Sequence, residues 1–438
     1  MRVRRGMLHE RSTMKKYKAV IATIALIPLT LTACSGASGG EESSGKSGAP
    51  IELWTAWTEG ATTQEASQEM IAQFEADSGQ TVNQTNFTYD MLREKLVASA
   101  AGGNLPDAVW GLPEYVGEFN KLGILANLSD SWDSWADKDK VSEAVKAAMT
   151  VDGKIIGFPY ETTTRAYLVH DDVLAAGGKS VPTTWEDVLA IGSSVKDATG
   201  SSAFGVAGAG VRAPQELLVY LAQQGLKIAD EKDGGFRNTW QDDPAELAKA
   251  TAVFQFYADL MDSGAVNPNS PTYGWEETDE NFVTGLTATY VTGNWLAERE
   301  TSNAETMGDV SVHPIPYPAD GQPATYIEAK PLMVMEGTDV LDGATQLAQA
   351  FASEKWQTAA FAERSALNTV STDSKWSKDF QALLESGVTY PPITLGTITQ
   401  SMIDSIAMVL QEGTSPEEAA IWLSDQINDS LETSGDLA

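Results

Sequence analysis

The stretch from Ile51 to Trp110 constrains the fold more than any other part of the chain, because strand-like and helix-like patterns alternate there at short spacing. Residues 51–57 read as a strand. Residues 64–77 place Ala66, Met70, Ile71 and Phe74 on one helical face, and Gly79 stops that helix. Residues 81–87 are again strand-like. Asp90 can cap a helix carrying Leu92, Leu96, Val97 and Ala100, which ends at Gly102-Gly103. Residues 108–110 form a third short strand. Strands separated by helices at this spacing predict parallel βαβ units, since a parallel neighbour needs a crossover long enough to hold a helix.

The same reading extends downstream. Helical patterns dominate as far as Thr150, and residues 154–158 and 166–170 read as short strands either side of Pro159-Tyr160. Thr184-Trp185-Glu186-Asp187 resembles a capping box. Asp243-Pro244 opens a helix with Leu247, Ala250, Phe254, Tyr257 and Met261 on one face, and Gly264 ends it. Residues 286–291, 310–315 and 327–335 are strands. From Leu341 the pattern is mostly helical, with Ser415-Pro416 starting the last helix. No internal repeat of solenoid period is present. The fold class is therefore α/β, and the alternation favours two open sheets over one barrel. Roughly 390 residues follow Pro50, enough for two domains.

Ahead of that body the composition changes. Lys15, Lys16 and Lys18 precede an almost uncharged apolar run, residues 19–31, too short to span a bilayer as a helix. Leu31-Thr32-Ala33-Cys34 closes it with small residues where a peptidase must fit, and Cys34 is the only cysteine. This layout is an export signal and resembles the lipobox of bacterial lipoproteins. The resemblance implies a signal peptide over residues 1–33 and a diacylated Cys34 anchored on the outer face of the cytoplasmic membrane. Met14 would open a more usual signal than Met1. Residues 34–50, Ser/Gly-rich with Glu41 and Glu42, read as a flexible tether.

The formal charge is −32, and the leader holds seven Lys/Arg and one acid, so the remainder carries 22 cations against 60 acids, or −38. Such a body repels nucleic acid and anionic headgroups, which argues against either as a partner; the acidity itself reads as an aid to solubility. A single cysteine permits no disulfide and no cysteine-ligated metal. Of the three histidines, His9 is in the leader, and His170 and His313 sit on predicted strands without metal-type spacing, so both read as structural. The metalloprotease, nucleophile-elbow and Walker A motifs are absent. Neither metal nor cofactor is expected.

Two enzyme alternatives remain. Acidic pairs such as Glu276-Glu277 suit a glycan-acting hydrolase, which sets two carboxylates across a bond, although 61 acids make such pairs commonplace. Gly208-Ala209-Gly210-Val211-Arg212-Ala213 fits a dinucleotide fingerprint, with Asp230 downstream. Against that oxidoreductase reading, Pro214 and Gln215 delay the helix start, and an exported protein lacks a dependable nucleotide supply. The simpler reading is a glycine-rich loop near a ligand or hinge.

Aromatic residues carry more information. Trp57 and Trp110 end the first and third strands, Tyr160 and Tyr273-Gly274-Trp275 fall in predicted loops, and Trp295 follows Gly293-Asn294 after a strand. Strand ends of open α/β sheets face the ligand crevice, where an aromatic face can stack on the C–H face of a sugar. Core packing is the competing role for any one of them; Trp295, behind Gly293 and Asn294, reads as ligand-facing.

Several motifs then recur in a fixed order: Gly103-Asn104-Leu105-Pro106-Asp107, Gly123-Ile124-Leu125-Ala126-Asn127-Leu128, Gly157-Phe158-Pro159-Tyr160, Val181-Pro182-Thr183-Thr184-Trp185, and the run from Asn281-Phe282-Val283-Thr284-Gly285 to Gly293-Asn294-Trp295. Together they resemble the extracellular solute-binding proteins of sugar ABC importers, the family that includes maltose-type binding proteins. The resemblance runs from Ile51 to the final helix. It implies a type II periplasmic-binding-protein fold: two hinge-linked lobes, each an open mixed sheet flanked by helices, with ligand in the cleft. Lobe I is expected over 51–162 plus 314–367, and lobe II over 163–313 plus 368–438.

By position, Trp57, Glu59, Glu114 and the segment from Tyr160 to Arg165 match cleft or hinge regions, and Trp295 matches the family's sugar-stacking tryptophan. Trp110, Arg212, Gln215, Tyr273, Trp275, Asn294 and Glu328 are further expected contacts. The implied molecule is a non-catalytic monomer that closes on a neutral carbohydrate or polyol and presents it to ABC permease subunits, touching the membrane only through its lipid anchor. Two departures, Val169-His170 in place of a usual Tyr-Asn and Tyr390-Pro391-Pro392-Ile393-Thr394 in place of a late tryptophan, leave a smaller sugar, another oligosaccharide or a polyol open.

Overall fold

The computed structural model describes residues 48–57 and 62–438; the expected leader, Cys34, the tether as far as residue 47, and Glu59 lie outside them. The alternation at the start is present. Strand β1 (Ile51–Thr55) leads into the Thr62–Ser78 helix, β2 (Val82–Asn86), the Tyr89–Gly102 helix and β3 (Ala108–Trp110), and β1 pairs in parallel with both β2 and β3. The cap of the second helix is Thr88, not Asp90. Its extended backbone lets the hydroxyl accept the Met91 N–H, and Gly103 closes the helix at φ 67°.

Downstream, one expectation fails in an informative way. Residues 154–158 and 166–170 are not two strands flanking a proline turn. A single buried strand, β4 (Gly157–His170), runs through Pro159. Further strands of the same sheet are β5 (Ser202–Gly205), β6 (Thr287–Gly293), β7 (Val310–His313) and β8 (Thr325–Val334). Pro159 faces Pro331 of β8 where the register shifts after Lys330, so the two missing N–H groups fall together at an irregularity instead of breaking a regular ladder.

The hydrogen-bonded order is β2-β1-β3-β8-β4-β6-β5, with β7 also on β4. What the pattern predicts as two open sheets is joined through β4 and β8. Residues of β4 up to Thr164 pair with β8, and those from Arg165 pair with β6. At about 3.3 Å per residue, a strand of this length reaches through both halves of the molecule.

Two large hydrophobic cores flank that junction. One holds Leu53, Leu96, Val109, Phe119, Phe158, Tyr160 and Phe351; the other holds Tyr167, Phe204, Leu217, Tyr220, Phe254, Ile398 and Leu423. A smaller cluster with Leu168, Phe282 and Tyr290 covers the opposite face of β4 and β6, as the alternation of side chains along a strand requires. Between Tyr160 and Ala166, β4 is entirely polar yet buried: Glu161, Thr162, Thr163, Thr164 and Arg165.

The helices follow their local signals. Thr184 and Asp187 form the expected capping box, Asp243 caps the Pro244–Asp262 helix, and Ser415 with Glu418 starts the last one. Trp275 lies not in a loop but at the start of the Trp275–Val283 helix, where the Glu277 carboxylate accepts the Gly274 N–H. The Arg212–Gln223 helix is not delayed by Pro214, which sits in the first turn, where an amide has no intrahelical acceptor. Every residue of that helix is buried, Glu216 included.

Two predictions follow from the packing. Gly117 of the Pro113–Lys121 helix lies against Ile393, whose carbonyl oxygen is 2.3 Å from where a Cβ would stand. Gly117→Ala should destabilise the protein by about 1–3 kcal/mol, because backbone and not a flexible side chain must yield. Urea unfolding checks this, and an unchanged midpoint would contradict the packing. The second concerns Glu216, whose carboxyl burial pushes up to about 8 despite Arg212 and Arg165. The folded state then binds a proton that the unfolded chain releases above its ordinary value of 4.5. This contribution is fully present below that value and declines as pH rises towards about 8. Glu216→Gln should remove the decline, so that variant and parent diverge by about 1 kcal/mol per pH unit on raising pH through neutrality. Parallel stability profiles would count against it.

Candidate functional site

The polar segment of β4 sets the chemistry between the cores. In the β4–β8 register Glu161 stands opposite Lys330, and Thr163 opposite Glu328. Residues two apart on a strand share a face, so Glu161, Thr163 and Arg165 present themselves to Glu328 and Lys330. Lys330 Nζ lies 2.8 Å from Glu161 Oε1, and Arg364 Nε 2.9 Å from Glu161 Oε2. Arg165 Nη2 donates to Glu328 Oε2 and to Gln215 Oε1, each at 2.6 Å. Gln215 Nε2 in turn donates to Glu114 Oε1 at 3.0 Å, as Tyr326 Oη does at 2.9 Å. The chain of contacts joins β4, β8, the Pro113–Lys121 helix and the Arg212–Gln223 helix.

Buried charges persist only when paired, and the ionisation of these groups reflects that. Burial alone would raise the Glu328 carboxyl, but Lys330 and Arg165 hold it down at about 2. Glu161 is likewise lowered by Lys330 and Arg364 against its own burial. Glu114, with no cation beside it, is raised by burial and by the charge on Glu328. Asp279 is raised by burial, with Arg212 and the Trp295 N–H opposing.

Aromatic rings complete the walls. Trp57 stacks on Tyr160 with centroids 6.2 Å apart, and Trp110 meets Tyr160 edge-on at 6.3 Å. The Tyr160 hydroxyl is hydrogen-bonded to Ser67. Trp295 is half-buried beyond the end of β6. The guanidiniums of Arg165 and Arg212 lie 4.7 and 4.4 Å from its ring centroid, and its Nε1 donates to Asp279 Oδ2 at 2.8 Å. Gly293 is required for this pose, since a Cβ there would stand 1.7 Å from the indole.

These groups border two adjoining cavities, of about 330 and 1140 Å³, that share Trp57, Leu112, Val211 and Trp275. Nine of the expected site residues line the smaller one: Trp57, Trp110, Tyr160, Arg165, Arg212, Gln215, Trp275, Trp295 and Glu328. Glu114 lines the larger. Tyr273 and Asn294 line neither: the Tyr273 carbonyl accepts the Ala209 N–H, and Asn294 Nδ2 donates to the Glu363 carbonyl at 2.7 Å. Each is the sequence neighbour of a lining residue or nearly so, and adjacent side chains leave the backbone in different directions.

Sequence reasoning missed Asp279, Glu298, Lys330 and Arg364, all on the smaller cavity, and reached Glu161 only as part of the segment from Tyr160 to Arg165. A usable signal existed for Lys330: with Glu328 it places two charges at strand period in an otherwise apolar run. Asp279 and Arg364 carried none. The glycine-rich loop has a packing role, since Gly208 abuts Pro271 and Gly210 adopts φ 69°, while Asp230 pairs with Lys227 in the hairpin near residue 233. His170 is buried with Nε2 2.7 Å from the Phe282 carbonyl, and His313 contacts Ser311; neither lines these two cavities.

A cavity between two cores, walled by indoles and by forked donors and acceptors, is suited to capturing a polar solute. Comparison with known proteins agrees. The model of the family described as bacterial extracellular solute-binding protein matches residues 69–385. A binding protein of Brucella abortus is 25% identical over 263 residues, which is 59% of this chain and 61% of that relative's length, so the match spans under two thirds of it. Among solved structures, the GacH receptor of Streptomyces glaucescens, known unliganded and with acarbose, superimposes with a TM-score of 0.77 at 22% identity, over 89% of this chain and 100% of that one. An ABC transporter solute-binding protein of Thermotoga lettingae, bound with α-D-tagatose, gives 0.75 at 21% identity, over 87% and 99%. At such identities the structural matches establish the two-lobed fold. The family match over most of the chain goes further: this protein belongs to the bacterial extracellular solute-binding protein family.

Proposed function

We propose that the protein captures a carbohydrate in the smaller cavity and delivers it to an ABC permease from the outer face of the membrane, without chemical turnover. The observation that carries this reading is Trp295, an indole half-open to the cavity beside forked polar groups from both cores. Aromatic faces suit the C–H surface of a sugar ring, and the Arg, Gln and Glu groups suit its hydroxyls. The sugars named for the structural relatives support the same class.

In this reading lobe I comprises 51–162 with 314–367 and lobe II 163–313 with 368–438. The division of the cores supports it, although Ile315, Ala324 and Tyr326 pack on the second core. Ligand bridging the lobes would shift an open–closed equilibrium about β4 and β8. For the hydrolase alternative, Glu161 and Glu328 are poor candidates for a general acid, since cations hold both carboxyls below their ordinary values. A thermal-shift screen across sugars and polyols tests the proposal through stabilisation of the native state. Absence of a response to every carbohydrate class, alongside a response to another solute, would overturn it.

Two substitutions probe its parts. Trp295→Ala removes stacking area and the ring shared by two guanidiniums, so affinity for the cognate sugar should fall at least about tenfold, or 1.4 kcal/mol. Titration calorimetry with denaturant unfolding separates this from a packing role, for which stability would drop while affinity held. Cys34→Ala should abolish incorporation of labelled fatty acid, because no other thiol is present to accept the diacylglyceryl group. Label retained on the variant would end the lipoprotein reading.

A further inference from the structure

The smaller cavity runs against the composition of the chain. Acids outnumber Lys/Arg by about two to one in the sequence, 61 to 29. Around this cavity the balance inverts: Arg165, Arg212, Arg299, Lys330 and Arg364 face Glu161, Asp279, Glu298 and Glu328, five cations to four acids.

The pairing within that set is uneven. Arg165 is bound to Glu328, Lys330 to Glu161, Arg364 to Glu161 and Glu298, and Arg299 to Glu280. Arg212 has no such partner among the described residues. It is 5% exposed, and its Nε and Nη1 make no hydrogen bond. Its guanidinium rests on the Trp295 ring at 4.4 Å. Of the carboxyls whose charge acts on Arg212, Asp279 is already committed to Trp295 Nε1 at 2.8 Å and Thr292 Oγ1 at 3.2 Å, and Glu216, one turn along the same helix, makes no hydrogen bond to it. A buried guanidinium with open N–H donors is costly unless something fills them.

We infer that the carbohydrate carries a carboxylate, and that Arg212 receives it beside Trp295. This rests on the carbohydrate reading above and replaces the neutral ligand expected from the sequence. A carboxylate fits on charge: its single negative charge matches the one cavity-lining cation that has no ion pair among the described residues, where a phosphate dianion would exceed it. It also fits on geometry, since planar guanidinium donors recognise planar carboxylates, and the adjoining indole covers the apolar face of the same sugar ring. The neutral sugar of the same shape leaves the Arg212 donors to hydroxyls, a weaker match for a buried cation.

The test uses the full-length protein and matched probes: glucose with glucuronate, galactose with galacturonate, each free and as short oligomers, plus the methyl esters of the two acids. Titration calorimetry at neutral pH should show the acid of the cognate pair binding at least about tenfold more tightly than its neutral partner, with the ester falling back to the neutral level. Added salt should narrow the gap. Arg212→Gln should erase the preference, so that the acid and its neutral partner bind alike; because the unaltered protein carries the main comparison, a variant that fails to fold leaves the test standing. Neutral sugar or ester binding as tightly as the acid overturns this inference and leaves the carbohydrate reading intact. No binding by any member of any pair counts against both.

Discussion

Five consecutive polar residues, Glu161 to Arg165, buried in the middle of one strand, govern the rest of the structure. A strand that passes from one hydrophobic core into another could have been apolar throughout. This one carries two charges and three hydroxyls through the junction, all of them buried. Removing one partner from a buried charge pair typically costs about 3–5 kcal/mol, whereas the intact pair adds little net stability. The segment therefore dictates partners: Glu328 and Lys330 from β8, Arg364 from the chain beyond it, Gln215 from a buried helix. Those demands fix the register of β4 on β8 and bring elements of both cores to one place.

The smaller cavity grows out of the same requirement. Groups needed to satisfy Arg165 and Glu161 also line the space between the cores, so the paired side chains are also the cavity walls. The indole of Trp295 reaches that space because Gly293 removes the Cβ it would strike, and Asp279 holds its N–H. Arg212 then differs from its neighbours. It enters on a helix whose every residue is buried, and Glu328 and Asp279 are already engaged by Arg165 and Trp295. Most polar groups around the cavity are thus committed to one another, and among the described residues Arg212 is the lining cation without an ion pair.

Much of the molecule was legible in advance because much of it is decided locally. The parallel β1–β3 unit follows from strand–helix alternation, and the boundaries at Thr184, Asp243, Gly264 and Ser415 follow from capping chemistry within a few residues. The order of short motifs identified the family, and nine of the residues expected at the site line the smaller cavity, five of them aromatic. Local signals also misled where they were read too literally. Pro159 looked like a break, and Pro214 looked like a delay, yet each lies where its missing N–H costs little.

What the sequence by itself determined was the class of fold, the family and the neighbourhood of the site, because periodicity, caps and turns depend on residues close along the chain. Only the tertiary structure decided which charges meet. Glu161 and Lys330 are 169 positions apart, Arg165 and Glu328 163, and Gln215 and Glu114 101. With 61 acids and 29 cations available, no local pattern selects those pairs. The register of β4 on β8 selects them, and it leaves Arg212 without one among the described residues, since an ion pair exists only where two backbones have already placed its ends within reach.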